Sequence, residues 1–307
     1  MHAAAWTLLT GVLQMSLFDR LVSEALQNLS DLAPLRAVVE KELLHHDILR
    51  EMSSAGLLAG LTFIGGTCLR ACYGSNRLSE DLDFTGGAGF TREQLADLGQ
   101  VLVDRLHRKY GLRVEVSDPV RESGNVVTWK MRVTTRPDQR DLPGQRINID
   151  ICAIPSHDSR PMMLRNPYGV DMGTSGLILQ AQSREEILAD KLVALTLRPN
   201  RFKNRDLWDI VWLKQQGVKL PVSLLPLKLQ DHRCARPDFL EMMANRRQLL
   251  VSDPVLHDDF LREMRRFLPV GLVADTVEQQ DFWEYLVATI GDECRQITDF
   301  LAGTANG

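Results

Sequence analysis

The spacing of apolar residues along the chain predicts helices first and a strand after them. Between residues 18 and 52, apolar side chains recur at helical intervals and Pro34 interrupts the pattern, which predicts two helices. Residues 61–64 form a short apolar run that ends at two glycines, as a buried strand does before a tight turn. We therefore expect a strand, a glycine turn and then a helix over residues 67–73.

The middle of the chain alternates between strand and helix patterns, whereas its last part is mainly helical. The patterns predict a helix over residues 91–110 and strands over residues 81–85, 113–117, 126–134 and 146–154. Further on, Ser183 and Glu186 have the spacing of a capping box that opens a helix over residues 184–197. The sequence thus predicts an α/β (α+β) core with a mixed sheet, followed by a mainly α-helical C-terminal domain.

These patterns divide the chain into three segments. We expect an N-terminal helical segment over residues 1–55, the core over residues 56–180 and the helical C-terminal domain over residues 181–307. Residues 155–176 are rich in turn-forming types, and we interpret them as the connection between the core and the helical domain.

Composition and charge describe a soluble globular protein. Of the 307 residues, 44% are hydrophobic and 25% are charged, which excludes a collagen-like or largely disordered chain. The formal net charge of −4 means that any nucleic-acid site must be local. The five cysteines are few and odd in number, as in reduced cytoplasmic proteins. Residues 1–17 are apolar but lack the basic start of a signal peptide, so we assign them no function and expect no membrane segment and a cytoplasmic protein.

The strongest chemical feature is the pair Asp81 and Asp83 in the sequence Asp-Leu-Asp-Phe. In a strand, alternate side chains share one face, so both carboxylates point to one side while Leu82 and Phe84 point to the core. Paired carboxylates suit Mg²⁺, or Mn²⁺, as the cation that holds the phosphates of a nucleotide. The alternative is a solvated pair of aspartates at the end of a strand.

Two other segments strengthen the case for a metal and a nucleotide. The turn formed by Gly65, Gly66 and Thr67 opens a helix, where free N–H groups and a hydroxyl can hold phosphate oxygens. In residues 147–151 three isoleucines alternate, which leaves Asp150 on the opposite face, where it can join the first two carboxylates from an adjacent strand. The alternative for Asp150 is an exposed aspartate on a strand.

The sequence GGTCLRACYGSNRLSEDLDF, residues 65–84, resembles the AbiEii/AbiGii toxin group of nucleotidyltransferases, which includes the MenT-type toxins. Two later blocks match the same group, at residues 185–195 and 205–210, so the resemblance covers about residues 60 to 215. The spacer over residues 67–80 is slightly long for the wider DNA-polymerase-β-like superfamily. The resemblance implies a nucleotidyltransferase core at residues 56–180.

The resemblance also implies an activity and its partners. Such a toxin transfers nucleotides from a nucleoside triphosphate to the 3′ end of tRNA, blocks translation, and is restrained by a cognate antitoxin within a toxin–antitoxin or phage-defence system. The last block is then expected to supply the base that activates the attacking hydroxyl, Asp209 in preference to Asp206. Ser79 matches a position at which phosphorylation controls such toxins, and added negative charge there would oppose nucleotide binding.

Three cationic side chains are candidates for binding the triphosphate. Lys191 falls in the inward stripe of its predicted helix, and burying an ammonium group is costly unless it pairs with phosphates or with a carboxylate. We favour the phosphate role, with a salt-bridged lysine at a domain interface as the alternative. Arg70 and Arg77 flank the glycine turn and the aspartate pair, where a guanidinium fork can also face phosphates.

Local basic segments could bind the acceptor. They comprise two groups, namely Arg132, Arg136, Arg140 and Arg146, and Arg198, Arg201, Lys203 and Arg205. Either could follow a phosphate backbone or be an ordinary solvated face. A small-molecule or protein acceptor, or a non-catalytic nucleotide-binding module, are the competing interpretations of the whole chain.

Overall fold

The computed structural model describes residues 15–120, 125–136, 143–199 and 201–303. Its helices are α1 Leu17–Asn28, α2 Arg36–Ser54, α3 Gly65–Tyr73, α4 Leu98–Tyr110, α5 Arg184–Leu197, α6 Asn204–Gln215, α7 Leu225–Asp231, α8 Arg236–Ser252, α9 Leu256–Met264, α10 Val270–Asp275 and α11 Gln280–Gly303. Its strands are β1 Thr62–Ile64, β2 Leu82–Thr85, β3 Arg113–Val120, β4 Val126–Thr134, β5 Gln145–Cys152, β6 Ser159–Met163 and β7 Ile178–Gln182. The helical segments at both ends and the α/β middle agree with the prediction.

The strands form one mixed seven-stranded sheet within the described residues, in the order β3-β4-β5-β2-β1-β7-β6. Strand β2 pairs with β5 in parallel and β1 pairs with β7 in parallel, while the other neighbours are antiparallel. The order places β2, which follows the glycine turn, in the middle of the sheet. The predicted α/β core with a mixed sheet and the helical C-terminal region are confirmed.

A continuous hydrophobic core joins the sheet to the helices that precede it and to those that follow it in the chain. Phe63 and Phe84 stack in the sheet with ring centroids 5.1 Å apart. The same cluster of buried side chains runs from Phe18 on α1 to Leu301 on α11. The three-way division of the chain into domains stays a prediction.

Some predicted boundaries differ from the structure. Residues 155–176, interpreted as a connection, contain β6, an edge strand whose side chains are mostly exposed and which therefore lacks an alternating pattern. Strand β7 continues the sheet to Gln182, and the helix predicted from residue 91 begins as a 3₁₀ turn at Arg92–Leu95 before α4. None of the described helices is both long enough and apolar enough to cross a membrane.

Candidate active site

Three carboxylates lie together on and just before two neighbouring strands of the sheet. The parallel register sets Asp83 on β2 beside Asp150 on β5, and Asp81 precedes β2 by one residue. Thr128 on β4 donates a hydrogen bond of 2.6 Å to Asp150, and the backbone N–H of Asn148 donates one of 2.9 Å to Asp81. The structure thus brings together the three residues predicted to hold a metal.

The carboxyl group of Asp83 has a raised pKa. Burial is the largest cause of its pKa of about 6; the charges of Lys203 and Lys191 lower that pKa, and those of Asp150 and Asp81 raise it. A carboxylate crowded by like charges favours a bound cation, because the cation removes the repulsion.

The oxygens of these carboxylates suit a hard divalent cation such as Mg²⁺. This ion usually takes one or two carboxylates from a protein and completes its shell with water and substrate phosphates. Within the part of the chain that the structure describes, no group of three or more His, Cys, Asp or Glu side chains is already arranged as a metal cage. Asp81 and Asp83, with Asp150 beside them, fit a cation that the protein would share with a phosphate group.

The two glycines of the turn have close neighbours that leave no room for a side chain. Gly65 opens α3 with φ of +76°, and a Cβ atom there would lie 3.0 Å from Oδ2 of Asp83. A Cβ atom on Gly66 would lie 2.2 Å from Nη2 of Arg77. The glycine pair therefore lets the start of α3 pack directly against the carboxylate site and against a buried arginine.

A buried group of ion pairs lies behind the turn, which we call the Lys191 cluster: Lys191, Asp206, Asp209 and Arg77. The ammonium nitrogen of Lys191 is 2.8 Å from Asp206 and 2.8 Å from Asp209. Arg77 donates two hydrogen bonds of 2.8 Å to the two carboxylate oxygens of Asp209, which is 0% exposed. The cluster joins the loop before β2 to helices α5 and α6, so it links the sheet to the C-terminal helices.

The pairing keeps every member of the Lys191 cluster charged. Burial alone would lower the pKa of Lys191, but Asp206 and Asp209 outweigh it and raise that pKa. Burial alone would raise the pKa of both aspartates, but the cations outweigh it: Arg77 and Lys191 lower the pKa of Asp209, and Lys191 with Lys203 lowers that of Asp206. The predicted inward position of Lys191 is thus observed, together with the carboxylate pairing that was its alternative explanation.

Three other predicted phosphate-site residues are engaged with protein atoms. Thr67 donates its hydroxyl hydrogen to the carbonyl of Asp81, and its oxygen lies 2.6 Å from the hydroxyl of Ser79. Arg70 pairs with Glu42 at 3.0 Å and donates to the carbonyl of Ser75 at 2.9 Å. Arg70 thus turns away from the three carboxylates and towards α2. The phosphate role predicted for Arg70, Thr67 and Ser79 stays a prediction.

Glu42 on α2 is a site residue that sequence reasoning missed. Its carboxylate accepts from Arg70, from the backbone N–H of Ser79 at 2.7 Å and from the hydroxyl of Tyr168. It therefore fixes the loop that leads into Asp81. One feature of the sequence could have pointed to it: Glu42 lies among Val39, Leu43 and Leu44 on an apolar helix face, and a buried glutamate needs buried hydrogen-bond or ion-pair partners.

A wide cavity of about 980 Å³ lies between the start of α6 and helices α8 and α9. We call it the basic groove and define it by its cationic lining: Arg198, Arg201, Lys203, Arg205, Arg246, Arg262 and Arg266. The first four form one of the two predicted basic groups, which the structure gathers at one place. The last three come from distant helices, and nothing in their local sequence set them apart from exposed arginines.

The side chains of the other predicted basic group are less available for binding an acceptor. Arg136 is ion-paired with Glu40, while Arg132 and Arg146 face each other across the β4–β5 pair. Arg140 lies outside the described residues. Arg136 and Arg146 border a separate cavity of about 560 Å³. In the group at α6, the charge of Lys203 acts on Asp83.

Comparison with solved structures agrees with this architecture. MenT4, a nucleotidyltransferase toxin from Mycobacterium tuberculosis, matches with a TM-score of 0.51 and 16% sequence identity, over 92% of this chain and 98% of MenT4. JHP933 from Helicobacter pylori matches with a TM-score of 0.44 and 18% identity, over 87% of this chain and 96% of its own. A putative nucleotidyltransferase from H. pylori matches with a TM-score of 0.45 and 19% identity, over 86% and 98%. At these identities the first match shows a shared fold.

Comparison of the sequence with protein families identifies the chain more firmly. No curated protein matches it. The family model described as nucleotidyl transferase AbiEii toxin, type IV TA system, matches residues 47–287. That span includes the three carboxylates, the glycine turn and the Lys191 cluster. The chain therefore belongs to the AbiEii nucleotidyltransferase toxin family of type IV toxin–antitoxin systems.

Proposed function

We propose that the protein transfers nucleotides from a nucleoside triphosphate to the 3′ end of tRNA, with Mg²⁺ or Mn²⁺ as its metal, and so blocks translation. The observation that carries the proposal is the parallel register of Asp83 and Asp150, with Asp81 beside them and the glycine turn packed against Asp83. This arrangement offers carboxylates for a metal and backbone N–H groups for phosphates at one place.

Each residue of the site has a proposed part in the reaction. Asp81, Asp83 and Asp150 would hold the metal, which when bound neutralises phosphate charge and the charge of the departing pyrophosphate. Gly65 and Gly66 present the start of α3 to the phosphates. The ammonium of Lys191, held in place by two aspartates, keeps a fixed positive charge near Asp83. The acceptor hydroxyl would then lose its proton to a base, its oxygen would form a bond to the α-phosphorus, and the bond between the α-phosphorus and the departing pyrophosphate would break.

The role of the two aspartates on α6 follows from their contacts. Asp209 is fully buried, both its oxygens are bonded to Arg77, and its pKa is lowered. A general base works best with a pKa near the working pH and with a free lone pair within reach of the substrate. The contacts therefore favour a positioning role, in which Asp209 and Asp206 hold Lys191 and Arg77. The base role predicted for Asp209, or for Asp206, stays a prediction that the pH dependence of the rate would test.

The basic groove supports a nucleic acid as the acceptor. A chain with a net charge of −4 that gathers seven cations in one cavity has a local field suited to a phosphate backbone. We propose tRNA as that acceptor and the cytoplasm as the place where the protein meets tRNA and nucleoside triphosphates. A cognate antitoxin would restrain it.

The test is incubation of purified protein with total tRNA, Mg²⁺ and each labelled nucleoside triphosphate in turn. Wild-type protein should label tRNA, addition of a chelator should stop the labelling, and Asp81→Asn should lose it while keeping the hydrogen bond from Asn148. Asp104→Asn, an exposed aspartate on α4, is the matched control and should behave as wild type. Folding of each variant is checked by circular dichroism and thermal unfolding.

Each outcome has a defined meaning. A well-folded Asp81→Asn protein with full activity would contradict the role of the carboxylate site. Labelling of protein or of small molecules in a cell extract, with no labelling of tRNA, would replace tRNA by another acceptor and keep the nucleotidyl transfer. Absence of transfer to any acceptor by folded wild-type protein would reject the proposed activity.

A further inference from the structure

Arg246 is a cation at the wall of the basic groove, and among the described residues it has no carboxylate partner. It lies on α8, is 7% exposed and lines the basic groove. Its guanidinium lies over the ring of Phe202, 5.3 Å from the ring centroid. Among the described residues, no carboxylate lies within ion-pair distance of Arg246 and no hydrogen-bond acceptor contacts its side chain. Its guanidinium therefore keeps its hydrogen-bond donors available to an anion that enters the groove.

The surroundings of Arg246 are positively charged. Burial and the like charge of Arg198 lower its pKa. Arg198, by contrast, has a partner, because it pairs with Asp206 at 3.2 Å. The cation–π contact with Phe202 orients the guanidinium at the wall of the open cavity.

The rest of the basic groove adds positive charge around this residue. Its lining contains seven Arg or Lys residues and three acidic residues, Asp253, Asp259 and Glu263. Two of these acids are matched by cations, since Arg262 pairs with Asp259 at 3.0 Å and Arg205 with Glu263 at 3.2 Å. The remaining cations exceed the remaining acid, so the groove favours a ligand with several negative charges.

The basic groove and the carboxylate site are neighbours with different linings. They meet at the start of α6, where the charge of Lys203 acts on Asp83 and where Asp206 pairs with both Arg198 and Lys191. From there the groove extends to α8 and α9, away from the glycine turn. A triphosphate held at the three carboxylates would therefore leave the wall formed by Arg246 to a second polyanion.

We propose that Arg246, with Arg198 beside it, binds a phosphate of the acceptor RNA strand and aligns that strand in the basic groove. This inference rests on the proposed function, because the acceptor there is tRNA. It adds a specific residue on α8, outside the sequence blocks that carry the family resemblance, to the acceptor site.

The experiment compares Arg246→Met with Arg247→Met. Methionine keeps the packing on Phe202 and removes the charge. Arg247 is the next residue of the same helix, and it lines a different groove, between α8 and α11, so it controls for the loss of one positive charge. Binding of fluorescently labelled tRNA, without nucleotide or metal, is measured by anisotropy over a series of salt concentrations. Binding of a fluorescent nucleoside triphosphate analogue in the presence of Mg²⁺ is the second arm.

We expect Arg246→Met to weaken tRNA binding about tenfold and to lower the slope of log affinity against log salt by about 1, whereas Arg247→Met stays near wild type. Nucleotide binding should be unchanged in both. The melting temperature of Arg246→Met should stay near that of wild type, because methionine keeps the packing on Phe202 and no ion pair among the described residues is lost. A merely structural arginine would instead show a lower melting temperature.

Unchanged tRNA binding by Arg246→Met, equal losses in the two variants, or no tRNA binding by wild type would overturn the inference. Loss of nucleotide binding with tRNA binding intact would assign the residue to the triphosphate and would overturn it too. If the tRNA loss is specific to Arg246→Met but wild type transfers no nucleotide to tRNA, the groove inference stands and the proposed function fails.

Discussion

Helix α5 carries two buried groups of ion pairs that differ in their surroundings. The first is the Lys191 cluster. The second, which we call the Lys228 cluster, consists of Lys228 on α7 with Glu186 and Asp190 on α5. Glu186 also accepts hydrogen bonds from the backbone of His157 at 2.8 Å and Asp158 at 2.6 Å.

The two clusters differ in the elements of the fold that each one connects. The Lys228 cluster ties the loop after β5 to α5 and α7. The Lys191 cluster ties the loop before β2 to α6, and its charges act on Asp83. Similar ion-pair chemistry thus connects elements of the fold in one place and holds charge beside the three carboxylates in the other. Substituting each lysine separates the two uses.

The largest effect is expected for Lys191→Met. Removing a fixed cation beside a developing phosphate charge should lower the rate of nucleotidyl transfer about 10³-fold, which corresponds to about 4 kcal/mol. Stability should fall by less than about 2 kcal/mol, because Asp206 keeps Arg198 and Asp209 keeps Arg77. Single-turnover labelling and urea unfolding measure the two quantities. A variant that is active but unstable would show that the Lys191 cluster is structural only.

Lys228→Met should show the reverse pattern. Glu186, which is 0% exposed, would lose the cation that pairs with it and keep the hydrogen bonds from His157 and Asp158, so a buried charge would remain incompletely paired. We expect a loss of about 3 kcal/mol in the free energy of unfolding, with the activity of the folded fraction unchanged. Urea unfolding and activity per folded molecule test this. A folded Lys228→Met protein without activity would mean that the two clusters do not divide their roles.

The two clusters also predict opposite dependences of stability on pH. The pKa of Asp206 is lowered in the fold, so the stability it contributes is complete above the unfolded pKa of about 4 and is lost as the pH falls below it. Burial raises the pKa of Asp190, so its charged form destabilises the fold and stability declines as the pH rises above about 4.

Asp206→Asn should therefore reduce the rise of stability with pH below about pH 4, and Asp190→Asn should reduce a decline above about pH 4, each by at most about 1.4 kcal/mol per pH unit. Urea unfolding at a series of pH values measures the slopes. If both substitutions changed the slope of unfolding free energy against pH in the same direction, the result would contradict the ion pairs assigned to Asp206 and Asp190.

The sequence predicted several local elements and one contact between residues that are far apart in the chain. Strand β4 has the bounds predicted for it, and the cap of α5 is present because Ser183 accepts from the N–H of Glu186. The other half of the capping box failed, because loop 156–158 and Lys228 bind the Glu186 carboxylate. The proximity of Asp83 and Asp150 followed from strand alternation.

The partners of the buried charges could not be predicted in the same way. Arg77 and Asp209 are 132 residues apart, and their bidentate pair depends on how α6 packs behind the glycine turn. Arg246 has a polar local sequence, and its burial results from the approach of Phe202 from another segment. Periodicity reports which face of an element is buried, but the partner of a buried charge is fixed only by tertiary packing.

The smallest effect is expected at the glycine turn, where the structure offers a matched pair of glycines. Gly65 and Gly60 have nearly the same φ, +76° and +77°, so alanine pays the same cost of a left-handed backbone at either position, about 1 kcal/mol. At Gly60 a Cβ atom has nothing within 4 Å, whereas at Gly65 it lies 3.0 Å from Oδ2 of Asp83.

Gly60→Ala should therefore lose about 1 kcal/mol of stability and keep its activity, whereas Gly65→Ala should lose about 1 kcal/mol more and raise the KM for the nucleoside triphosphate. Displacement of the Asp83 carboxylate by the new methyl group is the reason for the further loss of stability and for the higher KM of Gly65→Ala. Urea unfolding and initial rates over a range of nucleotide concentrations distinguish the two variants. Equal stability and equal KM would show that the carboxylate accommodates the methyl group, and the close packing of the turn on Asp83 would then have no part in nucleotide binding.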